Sequence, residues 1–217
     1  MDRKLIKYVF LTIVVIVLSG LFITTSLAID LPWEKEKKEE TPQGLPPAPK
    51  IPDDTPKPSS LENPKKYFDE GVAYEKDKKY NEAISSYTRA IELNRNYAEA
   101  YFQRGYSKCM IGKYEEALSD FNKAIELDPK YDLVYLSRGY LRQEFLKDFQ
   151  VALADYNKAI EINPKNIVGY FSLGYLKEEF LKDVQGAIRD YEKALEIYPN
   201  YEPAKQNLER AKKELKR

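Results

Sequence analysis

The side chains able to do covalent chemistry are few. The 217-residue chain has no histidine and one cysteine, Cys109. Neither a zinc site of Cys/His spacing nor a Ser–His or Cys–His nucleophile pair can be assembled from it. A lone thiol makes no intramolecular disulfide, and Cys109 reads as a small buried hydrophobe. Gly112-Lys113-Tyr114 lacks the upstream glycine and the following hydroxyl of a phosphate-binding loop, and no G-x-G-x-x-G occurs. Carboxylates remain: Glu178 and Glu179 could act as the acid and base of a hydrolase. Against that single possibility stand many regularly spaced aromatic residues, whose chemistry is recognition. No metal or cofactor is expected, and the chain reads as a non-enzyme.

Charge narrows the partners. The chain holds 35 basic and 35 acidic side chains. Arg3, Lys4 and Lys7 sit together at the N-terminus, leaving a slight acidic excess elsewhere. No basic surplus is left to displace counterions from a phosphate backbone, so no nucleic-acid partner is expected. Tyr8 to Ile29 is uncharged for 22 residues, enough as a helix to cross a hydrocarbon core of about 30 Å. The basic residues before it, and Asp30 and Glu34 after it, predict that the rest of the chain lies outside the cytoplasm. Residues 1–29 read either as a retained transmembrane anchor or as a signal peptide cleaved after Ala28, the end of the small Ser26-Leu27-Ala28 site. The protein would then be anchored on the extracytoplasmic side of the membrane, or exported. Residues 30–63 carry eight prolines among Glu, Lys and Ser, a composition that predicts a disordered, extended linker. Pro46-Pro47-Ala48-Pro49 offers the alternative of an SH3-type ligand.

From Pro64 onward the chain repeats itself. Tyr67, Tyr101, Tyr135 and Tyr170 recur at intervals of 34, 34 and 35 residues, each followed four residues later by Gly71, Gly105, Gly139 or Gly174. Then come Ala83, Ala117, Ala152 and Ala187; an aromatic at Tyr87, Phe121, Tyr156 and Tyr191; and Ala90, Ala124, Ala159 and Ala194. Pro129, Pro164 and Pro199 close three units, and Arg95 stands in the first. Offsets of three and four place side chains on one helical face, so each unit reads as two antiparallel helices. A glycine inside a helix costs about 1 kcal/mol relative to alanine, which a close helix–helix approach would explain. The third and fourth units hold one extra residue, within Phe145-Leu146-Lys147-Asp148 and Phe180-Leu181-Lys182-Asp183. It predicts a longer hairpin turn with Asp148 and Asp183 capping the second helix.

These columns resemble the tetratricopeptide repeat over residues 64–201. The resemblance implies an all-α, right-handed α-solenoid with units at 64–97, 98–131, 132–166 and 167–201. Residues 202–217 then read as a polar capping helix, with Glu209, Lys212, Lys213, Lys216 and Arg217 on its wet face. It also implies a non-catalytic scaffold whose concave face, lined by the first helices, binds a peptide or helix of another protein. A second stripe on those helices, Phe68 and Val72, Phe102 and Tyr106, Leu136 and Tyr140, Phe171 and Tyr175, would border that groove, with Gln143 and Glu178 on a rim shared with Lys65, Glu75, Glu99 and Glu179. The Tyr members are expected to be partly exposed. Some members of the family grip a chaperone's C-terminal carboxylate with Lys, Arg and Asn. The matching places here hold Phe68, Val72, Gln103, Leu133 and Ser137, so that clamp is missing. The groove instead suits an amphipathic or apolar peptide bearing Lys or Arg. Self-association into an envelope complex is the alternative reading, and a carboxylate-dependent hydrolase a further one.

Overall fold

The computed structural model describes residues 62–216, all of its secondary structure helical; the N-terminal apolar run and the Pro-rich segment up to residue 61 lie outside them. Eight helices form four hairpins: α1 (Pro64–Lys76) with α2 (Tyr80–Leu93), α3 (Ala98–Met110) with α4 (Tyr114–Leu127), α5 (Asp132–Leu141) with α6 (Phe149–Ile162), and α7 (Ile167–Leu176) with α8 (Val184–Ile197). A ninth, α9 (Glu202–Glu214), packs on α8. Each helix packs on the next, and the first helices α1, α3, α5 and α7 also touch one another in turn, so the chain builds an α-solenoid with the first helices forming one layer. Among the described residues no helix is long and apolar enough to cross a membrane.

Each hairpin closes on one glycine. A Cβ on Gly71 would lie 2.5 Å from the Tyr87 ring, on Gly105 2.9 Å from Phe121, and on Gly139 and Gly174 2.8 Å from Tyr156 and Tyr191. These four rings are buried, as are the alanines of both columns. The glycine therefore admits a ring, and at Gly105 and Gly174 it also lets the helices approach closely, with the Ala117 and Ala187 carbonyl oxygens 3.2 Å from the same Cβ position. Between the second and third turns of the hairpin, acid–base clasps add polar bonds. Arg104 donates to both carboxylate oxygens of Asp120 at 2.9 and 2.6 Å and reaches Thr88 of the preceding unit. One unit on, Arg138 grips Asp155 and reaches Asn122 in the same way, and Arg142 also pairs with Asp155.

Successive units are riveted by aromatic triplets. Phe68 packs on Tyr87 and stacks at 5.0 Å on Tyr97, the residue just before α3 of the next unit. Phe102 meets Phe121 and Tyr131, and Phe171 meets Tyr191 and Tyr201, in the same register. The turns between units are Asx turns: Asn94, Asp128 and Asn163 accept from the backbone N–H two residues on, beside Pro129 and Pro164 in the later two.

The extra residue of units three and four lies in the first helix, correcting the expectation of a longer turn. Residues Arg142–Leu146 and Lys177–Leu181 end α5 and α7 as π-helical turns. The hairpin turn itself keeps one length, with Lys78, Gly112, Lys147 and Lys182 at matching positions in the left-handed region. The wider turn places Phe145 against Tyr114 of the preceding unit, stacked at 4.0 Å, and Phe180 against Phe149 at 4.6 Å. One inserted residue thus supplies a second aromatic rivet at each of these junctions. Asp183 caps α8 as expected, accepting from Gly186 N–H, whereas Asp148 makes no side-chain cap bond. The residue matching Gly186 is Val151, and a Cβ at 186 would collide with the Asp183 carboxylate.

Candidate protein-interaction face

The face that could meet another protein is the layer of first helices, because the second helices spend their apolar side on the hairpin cores. Burial corrects much of the expected groove. Phe102, Leu136 and Phe171 are 0, 3 and 4% exposed: they are the rivets between units and offer no surface. Tyr175, at 7%, is also buried, edge-on to Phe180. Tyr106 and Tyr140 are half-buried, as are Phe68 and Val72. The surviving strip runs through Val72, Tyr106 and Tyr140 on three successive first helices. Met110 is half-buried and Glu99 exposed, whereas Leu133 and Val168 pack against the cores.

The rim residues Gln143 and Glu178 are buried too, and each has a structural task. They occupy a column with Glu75 and Cys109 in the last turn of each first helix, beside the tip of the second-helix ring. Tyr156 donates its hydroxyl to Gln143 Oε1 at 3.1 Å, and Tyr191 donates to Glu178 Oε2 at 2.8 Å. Where the ring is Phe121 and has no hydroxyl, the column holds Cys109. The sequence contains this pairing, carboxyl or amide with Tyr and thiol with Phe, but it emerges only once the two columns are known to face each other.

Glu178 receives Arg210 of α9 through Nε and Nη2, both at 2.8 Å, and Arg210 also reaches Glu179 at 2.8 Å. The two carboxylates named as an acid–base pair therefore hold the terminal helix. Glu75 differs. Ser107 of the next unit donates a short hydrogen bond to it, but no cation among the described residues pairs with it. Burial pushes its carboxyl up to about 7, against the opposing hydrogen bond from Ser107. Burial likewise pushes the Cys109 thiol up to about 12, which keeps it protonated and poorly nucleophilic. Among the described residues no group of His, Cys, Asp and Glu could hold a metal ion. The arrangement offers an aromatic strip with one half-buried, uncompensated carboxylate.

Family models described as Tetratricopeptide repeat match residues 98–131 and, with another model, 134–166 and 168–201; a further model, TPR repeat, matches 71–108. Among solved structures, the crystal structure of MamA protein is 24% identical with a TM-score of 0.62, covering 68% of this chain and 80% of that one. The first TPR of Spaghetti (RPAP3) bound to the HSP90 peptide SRMEEVD is 28% identical, TM-score 0.53, over 55% of this chain and 94% of that one. The Arabidopsis OM64 TPR domain is 30% identical, TM-score 0.51, over 54% and 96%. No curated protein matches the chain by sequence.

Proposed function

The chain belongs to the tetratricopeptide repeat family, and from that premise we propose that it is a non-catalytic scaffold that binds a peptide or helix of another protein on its layer of first helices. The observation that carries this reading is the half-buried strip of Val72, Tyr106 and Tyr140, aligned across three units while the rings around it are sunk in the core. Tyr supplies contact area, rigidity and a polar tip at little entropic cost. The comparison structure with the HSP90 peptide is one in which a related array holds a peptide. Here Phe68, Val72, Gln103, Leu133 and Ser137 carry no positive charge, so an acidic tail has no clamp to enter.

We place this scaffold on the extracytoplasmic side of a membrane, held or delivered by residues 1–29 and spaced from the surface by the Pro-rich segment. The charge asymmetry around Tyr8–Ile29 supports that placement. Purification of the full chain from native membranes in mild detergent tests both parts. The wild type should carry a co-eluting protein that the Tyr106→Ser/Tyr140→Ser variant loses while its helical circular dichroism is unchanged. A partner retained by that variant would remove the strip from the interface. Protease added outside intact cells or spheroplasts should cleave the repeat array; protection of the array would reverse the placement.

A further inference from the structure

We propose that Glu75 is the seat for a lysine or arginine side chain of the bound protein, received between the rings of Tyr80 and Tyr106 at the junction of the first two units. This deepens the reading of the first-helix layer as a binding face and rests on it.

The repeat supplies its own comparison. The column Glu75, Cys109, Gln143, Glu178 has polar members where the facing ring bears a hydroxyl, and that need is met by a neutral amide in unit three. A carboxylate goes further, because it brings a charge that a hydroxyl does not neutralise. In unit four the charge is answered from within: Arg210, the ninth residue of α9, lays its guanidinium on Glu178. The ninth residue of α3, which holds the same register over unit one, is Tyr106. At the first junction, then, a phenol ring stands where the last junction has a guanidinium. Ser107 alone reaches Glu75 from the next unit, and the buried Tyr87 hydroxyl beside it finds no hydrogen-bond partner of normal geometry. Tyr80 opens α2 just past the turn that follows Glu75, Tyr106 adjoins the Ser107 that bonds Glu75, and both phenols feel its charge. None of Glu75, Tyr80 and Tyr106 is fully buried. A carboxylate flanked by aromatic rings attracts an ammonium or guanidinium by charge and by the ring quadrupole together.

The test uses the full chain in non-ionic detergent and two synthetic probes. Both are twelve-residue amphipathic helical peptides with leucine on one face, one carrying lysines on the other face and one glutamines. By calorimetry at pH 7.5 the lysine peptide should bind at least tenfold more tightly. Glu75→Gln should abolish that difference, while Glu115→Gln, an exposed carboxylate on α4, should leave it intact. In the unsubstituted chain, the lysine peptide should also lower the titration midpoint of the Glu75 side-chain carboxyl followed by carbon NMR, a readout independent of how any variant folds. Equal affinity for the two peptides, or a lysine preference that survives Glu75→Gln, overturns the proposal. If both peptides bind equally and Tyr106→Ser weakens both, the cation seat falls and the binding face stands. If neither binds at millimolar concentration, both fall together.

Discussion

At the scale of single residues, the pairing between the last turn of each first helix and the ring it faces explains choices that composition leaves arbitrary. Phe121 faces Cys109, and a hydroxyl placed there would be buried without an acceptor. Phe121→Tyr should therefore lower stability by about 1–3 kcal/mol. Cys109→Gln in the same chain should restore most of it, copying the Tyr156–Gln143 pair; a urea-denaturation double-mutant cycle reads the coupling. Glu75 has a pH signature of its own. Its carboxyl is raised in the folded state to about 7 from an ordinary 4.5, so the folded protein binds the extra proton. The stabilisation this gives is complete below the unfolded value and is lost as pH rises through about 7. Stability should thus fall between about pH 5 and 8 in the wild type and fall less in Glu75→Gln. Tyr80, Tyr87 and Tyr106, which face the carboxyl, have their own titrations pushed upward by burial and stay neutral across that window.

At the scale of elements, the hairpins were legible because Gly, Ala and aromatic columns report a contact that only a helix pair can make. The second apolar stripe was harder. A 3.6-residue period gives its direction on the first helix, but whether a stripe is wet depends on how the next unit leans against it. Phe102 and Phe171 are covered by Tyr131 and Tyr201, residues 29 and 30 positions downstream in turns that carry no helical pattern. The inserted residue was misplaced for a related reason. Phe-Leu-Lys-Asp contains no helix breaker, so its spelling does not separate a long turn from a widened helix. Units one and two fold without the insertion, which gives a direct test. Deleting Phe145 should leave helical circular dichroism intact, converting the π-turn to an α-turn, with a lower Tm from the lost stack on Tyr114. Phe145→Ala, which keeps the wide turn and empties it, should cost about 2–4 kcal/mol.

At the scale of the whole array, stability is carried by hairpins and the junctions between them, and the last junction adds one guanidinium to its apolar packing. Arg210→Ala would leave Glu178 buried at 4% exposure without a cation. Arg210 is itself about a third exposed, so removing it costs less than in a fully buried pair, about 1–3 kcal/mol. Hydrogen exchange should locate the loss, with faster exchange of α9 amides and unchanged protection of α1–α4. Uniform exchange across the array would mean that α9 is held by its apolar side, through Ala204, Leu208 and Ala211, instead.

The aromatic pairs supplied by the π-turns are placed unevenly along the solenoid. The second and third junctions each have a ring stacked across them in addition to their core, Phe145 on Tyr114 and Phe180 on Phe149, whereas the first relies on the core packing of Phe68 with Tyr97, the Ser107–Glu75 bond and the reach of Arg104 to Thr88. In mechanical terms the second and third joints carry an aromatic brace that the first does without. A load that bends the solenoid would have to part those stacked rings before it could open the second or third joint.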